Sequence, residues 1–194
     1  MSADLSRRTF VASTTAATLV SAPGILSAQG ANSKINIGWI GTGSRGNHVM
    51  DMMYKSGVKD VVVTAVCDTY DGHRNRAVDR VATWGGNKPK PYIDYRDLLA
   101  DPSIDIVFIC TPEHLHYQMA VDAMLAGKHI YLEKPLAHTI EEGEDLLKIS
   151  RKSKRIVQVG TQNRSNSLYI KAKEMVQQGM IGEIHYVRAF WYRN

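Results

Sequence analysis

The sequence has little cysteine, and this scarcity excludes a fold held together by several disulfides. Its 194 residues include two cysteines, Cys67 and Cys110, each at the end of a predicted strand. In a parallel sheet of strand order 3-2-1-4 the first strand would lie between them and separate them by about 9.5 Å. That distance is too long for a disulfide. We therefore expect both to be small core residues.

The sequence also has little clustering of basic residues, which argues against a nucleic-acid partner. The formal net charge is +5, but apart from 148–155 the lysines and arginines are spread along the chain. That run follows a helical pattern beginning near Thr139, and cations are favoured at the C-terminus of a helix. It is not accompanied by the aromatic pattern that single-stranded RNA recognition uses. We expect no nucleic-acid partner.

Metal ligands are scarce as well. Glu113, His114 and His116 are close in sequence. The two histidines are two residues apart at the start of a predicted helix, so their side chains point in different directions. No third group of ligands accompanies them, and we predict no metal site.

No hydrophobic run is long enough to predict a membrane span. The first residues have a different pattern, in which Arg7 and Arg8 come just before Phe10 and an uncharged run rich in Ala, Thr and Ser. This pattern is typical of a twin-arginine export signal. We predict a signal peptide over 1–30 and a periplasmic or secreted protein; the alternative is a disordered basic tail.

From Lys34 onward, short apolar runs alternate with longer amphipathic ones. This alternation predicts an α/β fold with a Rossmann-type, doubly wound parallel sheet over 34–163. The predicted strands are 34–40, 61–67, 90–94, 104–111, 128–133 and 155–160, of which 90–94 has the weakest signal. The predicted helices are 47–57, 73–86, 95–101, 115–128, 139–153 and 167–179. The alternating segment 183–194 resembles an opening strand, so we expect 164–194 to be the crossover helix and first strand of a truncated second α/β domain.

A glycine motif follows the first strand. Gly41, Gly43 and Gly46 form a G-x-G-x-x-G pattern that opens a helix. Glycines there let the backbone approach a pyrophosphate, which the helix N-terminus then holds. Asp68 ends the second strand, where an acidic residue binds the adenosine ribose. We predict dinucleotide binding, with NAD favoured over NADP because a carboxylate repels a 2′-phosphate; Arg74 and Arg76 leave NADP possible.

Two further motifs follow the fourth and fifth strands. Thr111 and Pro112 end the fourth strand, and Glu133, Lys134 and Pro135 end the fifth. Carboxyl ends of parallel strands meet at one edge, where ligands bind. Lys134 can donate a hydrogen bond to a substrate hydroxyl and stabilise a developing alkoxide, which predicts a catalytic role.

The order of these motifs, with "EKP" after the fifth strand and "GTQNR" after the sixth, resembles the Gfo/Idh/MocA oxidoreductases. The resemblance covers about 34–194. It implies a catalytic lysine at Lys134, an NAD(P) cofactor, sugar or cyclitol substrates and a homo-oligomer. In that family an aspartate and a histidine of a second domain assist the lysine, so we expect this sequence to be the N-terminal portion of such an enzyme. The expected cofactor-binding residues are Gly41, Thr42, Gly43, Ser44, Arg45, Gly46, Asp68, Thr111, Pro112, His116, Glu133, Lys134, Gln162 and Asn163.

Three functions are compatible with these features. The first is an exported NAD(P)-dependent oxidoreductase that transfers hydride between a sugar or cyclitol carbinol and the nicotinamide. The second is a redox-neutral sugar-modifying enzyme that recycles a tightly bound cofactor. The third is a non-catalytic NAD-binding fragment that lacks the second domain. Release of NADH during turnover would count against the second.

Overall fold

A computed structural model describes residues 34–190 of the chain. The predicted signal peptide over 1–30 and the last four residues lie outside the described residues. The strands are β1 (Ile35–Ile40), β2 (Val61–Cys67), β3 (Lys90–Tyr92), β4 (Ile106–Ile109), β5 (His129–Glu133) and β6 (Val157–Gly160). The α-helices are α1 (Ser44–Lys55), α2 (Asp71–Gly85), α3 (Tyr95–Leu99), α4 (His116–Leu125), α5 (Ile140–Ser153) and α6 (Ser167–Gln177).

All six strands are parallel and form one sheet in the order β3-β2-β1-β4-β5-β6. This order confirms the predicted doubly wound Rossmann-type sheet. Ile40 pairs with Cys67 on one side and with Ile109 on the other, and Ile109 pairs with Leu132. The carboxyl ends of these four strands therefore lie level at one edge. From β1 the chain adds β2 and β3 on one side and then β4, β5 and β6 on the other side, so the direction of strand addition reverses between β1 and β4. Doubly wound sheets bind their ligands at this position.

Helices cover both faces of the sheet, so the strands are apolar on both sides. On one face Trp39 and Val66 pack with Met50 of α1 and Val81 of α2. A second cluster on the opposite face joins the strands to α3, α4 and α5. Cys67 and Cys110 are buried free thiols, one in each cluster.

The first two predicted helices begin too late in the chain. The first begins at Ser44 rather than 47, and the second begins at Asp71 rather than 73. Apolar periodicity starts only after the first helical turn, which is polar in both, so the pattern misses that turn. The fifth begins as expected after Thr139, whose side chain forms a capping box with Glu142.

The predicted strand over 183–194 is corrected in its described part. Residues 183–190 have no regular secondary structure, and their side chains are exposed. A strand needs a neighbouring strand to satisfy its backbone hydrogen bonds, and within the described chain this segment pairs with none. Its role as the start of a second domain stays a prediction. Over residues 34–190, no helix is both long and apolar enough to span a membrane.

Candidate cofactor and active site

The three glycines of the loop after β1 differ in whether the protein's packing prevents a larger residue at their positions. Gly41 has φ of +83°, and a Cβ there would lie 2.7 Å from the backbone oxygen of Cys110. A Cβ at Gly46 would overlap the carbonyl oxygen of Gly41. At Gly43, by contrast, a Cβ would have only His73 as a neighbour, at 3.6 Å. The protein itself therefore requires glycine at the first and third positions, whereas at the second a Cβ would make only an ordinary van der Waals contact.

The helix that follows this loop begins without a side-chain cap. The N-cap residue of α1 is Gly43, which has no side chain to accept a hydrogen bond from the first N–H groups of the helix. By contrast, α5 begins with a complete capping box. The first N–H groups of a helix have no partner within the helix and carry the positive end of its dipole. An anion such as a pyrophosphate supplies the missing acceptors. Since the protein's own packing does not require glycine at Gly43, close approach of a ligand to the backbone is a reason for glycine there, and the arrangement fits a dinucleotide.

Asp68 is held in place at the end of β2. Its Oδ2 accepts hydrogen bonds from the backbone N–H of Thr42 at 2.8 Å and from the Thr42 hydroxyl at 3.2 Å. Its Oδ1 accepts a bond of 3.0 Å from the backbone N–H of Tyr70. Thr42 is fully buried, so its side chain shapes the loop. Asp68 thereby links two loops at the carboxyl edge.

A crevice of about 460 Å³ opens at this edge between the ends of β1 and β4. It is lined by six of the predicted cofactor-binding residues, namely Gly41, Gly43, Ser44, Asp68, Thr111 and Pro112. It is also lined by residues that the motif analysis missed, including Tyr70, His73, Ile93, Tyr95, Leu115 and Met119. Tyr70 and His73 follow Asp68 by two and five residues in the chain. Their closeness in sequence to the predicted ribose-binding residue could have identified them. Apolar and aromatic side chains beside a few polar groups are usual for a cofactor crevice.

Both buried cysteines line the crevice wall. Burial raises the pKa of each thiol to about 12. Burial is the main cause of this rise in pKa, and the charges of Glu133 beside Cys110 and of Asp68 beside Cys67 contribute to it. The thiols stay protonated at neutral pH and are not nucleophiles.

Arg45 and Glu133 form an ion pair across the edge of the sheet. One guanidinium nitrogen of Arg45 lies 2.6 Å from Oε1 of Glu133, and the Glu133 side chain is 3% exposed. This hydrogen bond is the main cause of a raised pKa at Arg45. Oε1 also accepts a bond of 3.3 Å from the Tyr131 hydroxyl. The Glu133 carboxylate is thus buried against Arg45 and is not among the residues that line the crevice; its contact with a cofactor stays a prediction.

His116 is a second interior contact at this edge. It is 1% exposed, and its Nε2 lies 2.9 Å from the carbonyl oxygen of Thr111. Its Nδ1 lies 2.7 Å from the carbonyl oxygen of Pro135. Both ring nitrogens therefore contact backbone oxygens of the protein itself, and the contact of His116 with a cofactor stays a prediction. The sequence does not predict these contacts of His116, because burial of the ring depends on the packing of α4.

Lys134 is exposed directly after β5, beside these contacts. Its backbone N–H donates a bond of 3.1 Å to Oε2 of Glu133, whereas its ammonium has no hydrogen bond to any described residue. Gln162 and Asn163 lie in an exposed 3₁₀ turn that follows β6. The structure therefore places all three after neighbouring strands of the same edge, beyond the crevice described above.

Asn47 supports the glycine loop from the first turns of α1. It is buried, and its side-chain amide donates hydrogen bonds to the carbonyl oxygens of Thr42 and Gly43, the latter at 3.1 Å. The motif analysis missed Asn47, because no sequence pattern distinguishes an asparagine that supports a loop from any other asparagine in a helix. Among residues 34–190, no three His, Cys, Asp or Glu side chains are grouped so as to hold a metal ion.

Comparison with known proteins gives a family and several relatives. The family model described as an oxidoreductase family with an NAD-binding Rossmann fold (Gfo/Idh/MocA) matches residues 35–161. A glycosyl hydrolase family 109 protein of Shewanella baltica is 34% identical over 155 residues. An α-N-acetylgalactosaminidase of Shewanella oneidensis is also 34% identical over 155 residues. Each match covers 77% of this chain and 33% of the relative, so the chain spans about a third of the length of these curated relatives.

A solved structure agrees with the same assignment. The WlbA dehydrogenase of Chromobacterium violaceum, in complex with NADH and UDP-GlcNAcA, is 28% identical with a TM-score of 0.70. The match covers 78% of this chain and 42% of that one.

Proposed function

This chain belongs to the oxidoreductase family with an NAD-binding Rossmann fold, and we propose that it forms the cofactor-binding part of an enzyme that transfers hydride to or from a sugar or cyclitol carbinol. One observation carries the proposal. The uncapped start of α1, at a glycine that the protein's own packing does not require, lies beside Asp68 at the sheet edge that also bears Lys134. The UDP-GlcNAcA bound to WlbA dehydrogenase supports a sugar derivative as substrate.

We propose NAD as the cofactor in preference to NADP. The Asp68 carboxylate lines the crevice, where it can accept hydrogen bonds from ribose hydroxyls and repels a 2′-phosphate. Arg74 would favour a phosphate, but its guanidinium already donates a bond of 2.6 Å to the Asp68 carbonyl oxygen and pairs with Asp71. Its charge is therefore partly compensated within the protein.

Lys134 is proposed as the residue that contacts the reacting hydroxyl. When bound, the nicotinamide supplies the hydride acceptor or donor. The ammonium of Lys134 can donate a hydrogen bond to the carbinol oxygen and stabilise the negative charge that develops there. Its exposed position, with no internal partner for the ammonium in the described chain, leaves the side chain free to reach a substrate.

NADH binding and turnover test this proposal together. We expect the 194-residue chain to enhance and shift NADH fluorescence on binding, and Lys134→Met to bind NADH as well as the wild type. In the enzyme assayed on sugars and cyclitols, Lys134→Met should lose roughly 10²- to 10⁴-fold in kcat. Lys148→Met, an exposed lysine of α5, is the matched control and should keep full activity. A chain that does not bind NADH, or a fully active Lys134→Met variant, contradicts the proposal; binding without turnover favours a non-catalytic NAD-binding module.

A second candidate is a redox-neutral enzyme that retains NAD and cleaves a glycoside. The names of the two curated relatives, a glycosyl hydrolase and an α-N-acetylgalactosaminidase, favour it. In such a reaction oxidation of a sugar hydroxyl to a ketone would allow the glycosidic alcohol to leave by elimination. Water would then add to the resulting double bond, and return of the hydride to the ketone would restore the sugar. Sugar release without accumulation of NADH would support it, whereas one NADH per product would support the dehydrogenase.

We further propose that the protein is exported by the twin-arginine route and that the whole enzyme is a homo-oligomer. The arginine pair at Arg7 and Arg8 supports export. The family resemblance supports the oligomer, and the mass of the native enzyme in solution tests it.

A further inference from the structure

We propose that Arg45 and His116 are positioning residues that hold the main chain on both sides of Lys134. Each ties the turn after β5 to a different cofactor loop. The importance of this turn for catalysis rests on the proposed role of Lys134. The two tethers themselves are contacts of the described chain and can be tested without any reaction.

The first tether joins the glycine loop to the residue before Lys134. Arg45 lies in that loop and reaches Glu133 over 2.6 Å, although the two are 88 residues apart in the chain. The Glu133 carboxylate is buried, and a buried carboxylate is stable only when it is paired. Its Oε2 also accepts the backbone N–H of Lys134 at 3.1 Å. The ion pair therefore acts directly on the Lys134 backbone.

The second tether joins the loop after β4 to the residue after Lys134. The His116 ring lies between the carbonyl oxygens of Thr111 and Pro135, at 2.9 and 2.7 Å. Carbonyl oxygens only accept hydrogen bonds, so the ring can donate to either of them, and to both when both nitrogens carry protons. The ring is almost fully buried, and water cannot readily replace it.

These tethers change the role expected of Arg45. An arginine in a glycine loop suggests a direct contact with the pyrophosphate, but one guanidinium nitrogen here is committed to Glu133 and its Nε is buried without a partner. Lys134 is thus held by its neighbours while its side chain stays free. The distance between the catalytic lysine and the cofactor loops is set by the chain before any ligand binds.

Amide hydrogen exchange on the 194-residue chain tests the first tether. In Arg45→Met we expect the Lys134 amide to exchange about tenfold faster or more, because a charge-assisted bond is lost beside it. NADH affinity is measured on the same variant, and we expect it to fall by a smaller factor than the exchange rate rises, since the guanidinium is committed to Glu133. Arg45→Lys keeps the charge and should recover most of the protection. Arg151→Met, which removes an exposed arginine of α5, is the matched control and should change neither quantity.

His116→Phe tests the second tether and should raise exchange at Leu136, the first amide after Pro135. His116→Gln keeps one donor and provides the same test if the phenylalanine variant does not fold. Unchanged exchange at Lys134 in Arg45→Met, or a loss of more than about tenfold in NADH affinity with protection intact, would overturn the proposal. If the wild-type chain does not bind NADH, the proposed function fails, but the exchange rates still decide whether the tethers exist.

Discussion

The backbone N–H of Thr42 donates a hydrogen bond of 2.8 Å to Oδ2 of Asp68, so the glycine loop and the end of β2 are fixed to one another. Asp68→Asn replaces one acceptor oxygen by a donor, which then faces an N–H group. We expect NADH affinity to fall about tenfold to a hundredfold, as for loss of a hydrogen bond to a charged group. The preference for NAD over NADP should narrow, because the negative charge is removed. Fluorescence titration with both cofactors measures these changes.

Asp79→Asn is the control for this prediction. Asp79 is exposed on α2, and its substitution should change neither affinity nor selectivity. Equal effects of the two variants would contradict a specific role for Asp68.

Gly43 and Gly46 should respond in opposite ways to the same substitution. Gly43→Ala places a methyl group at an ordinary contact distance of 3.6 Å from His73, at a backbone φ of −64° that alanine adopts readily. The free energy of unfolding should therefore stay within about 1 kcal/mol of the wild type. NADH binding should nevertheless weaken, because the methyl group occupies the space beside the helix start. Gly46→Ala overlaps the Gly41 carbonyl and should destabilise the fold by about 1–3 kcal/mol or more. Urea unfolding and NADH titration of both variants separate the two effects; a stable Gly46→Ala that binds NADH normally would contradict the loop geometry.

The buried thiols should make stability fall at alkaline pH. Burial raises the pKa of Cys67 and of Cys110 from 9.0 to about 12. In this range the unfolded chain loses thiol protons that the folded chain keeps, so the free energy of unfolding falls as pH rises from 9.0 towards about 12. Urea unfolding at about pH 8 and about pH 10.5 should show a smaller decline in Cys67→Ala and in Cys110→Ala than in the wild type. An equally steep decline in both variants would contradict the thiol contribution.

Lys128 should be a structural lysine, although it lies only six residues before Lys134. It is 6% exposed, and its ammonium donates bonds of 2.7 and 2.8 Å to the carbonyl oxygens of Asp101 and Ile104. Burial lowers its pKa. Lys128→Met should lower the free energy of unfolding by about 1–3 kcal/mol for each carbonyl left without a donor. Lys148→Met should stay within about 0.5 kcal/mol of the wild type, and equal stability of the two variants would contradict this role.

The export proposal predicts dependence on the arginine pair. Replacing Arg7 and Arg8 together by lysine keeps the charge but removes the recognised pair, so the precursor should accumulate in the cytoplasm. Cell fractionation and the mass of the exported chain measure this outcome. Efficient export of the double variant would show that another route, or no export signal, applies.

The sequence by itself determined the fold class and the position of the glycine loop. These depend on local patterns, because strand and helix periodicities and the spacing from Gly46 to Asp68 are readable along the chain. Helix starts were less accurate, since the first polar turns of α1 and α2 lack an apolar repeat.

Only the tertiary structure decided what Glu133 and His116 contact. Arg45 and Glu133 are 88 residues apart, and His116 and Pro135 are 19 apart. Such pairs form because the register of parallel strands brings distant loops to one edge, where burial then selects the partner of each polar group. The described part of the segment after 183 shows the same dependence, because its alternating pattern produces a strand only where a neighbouring strand is present to pair with it.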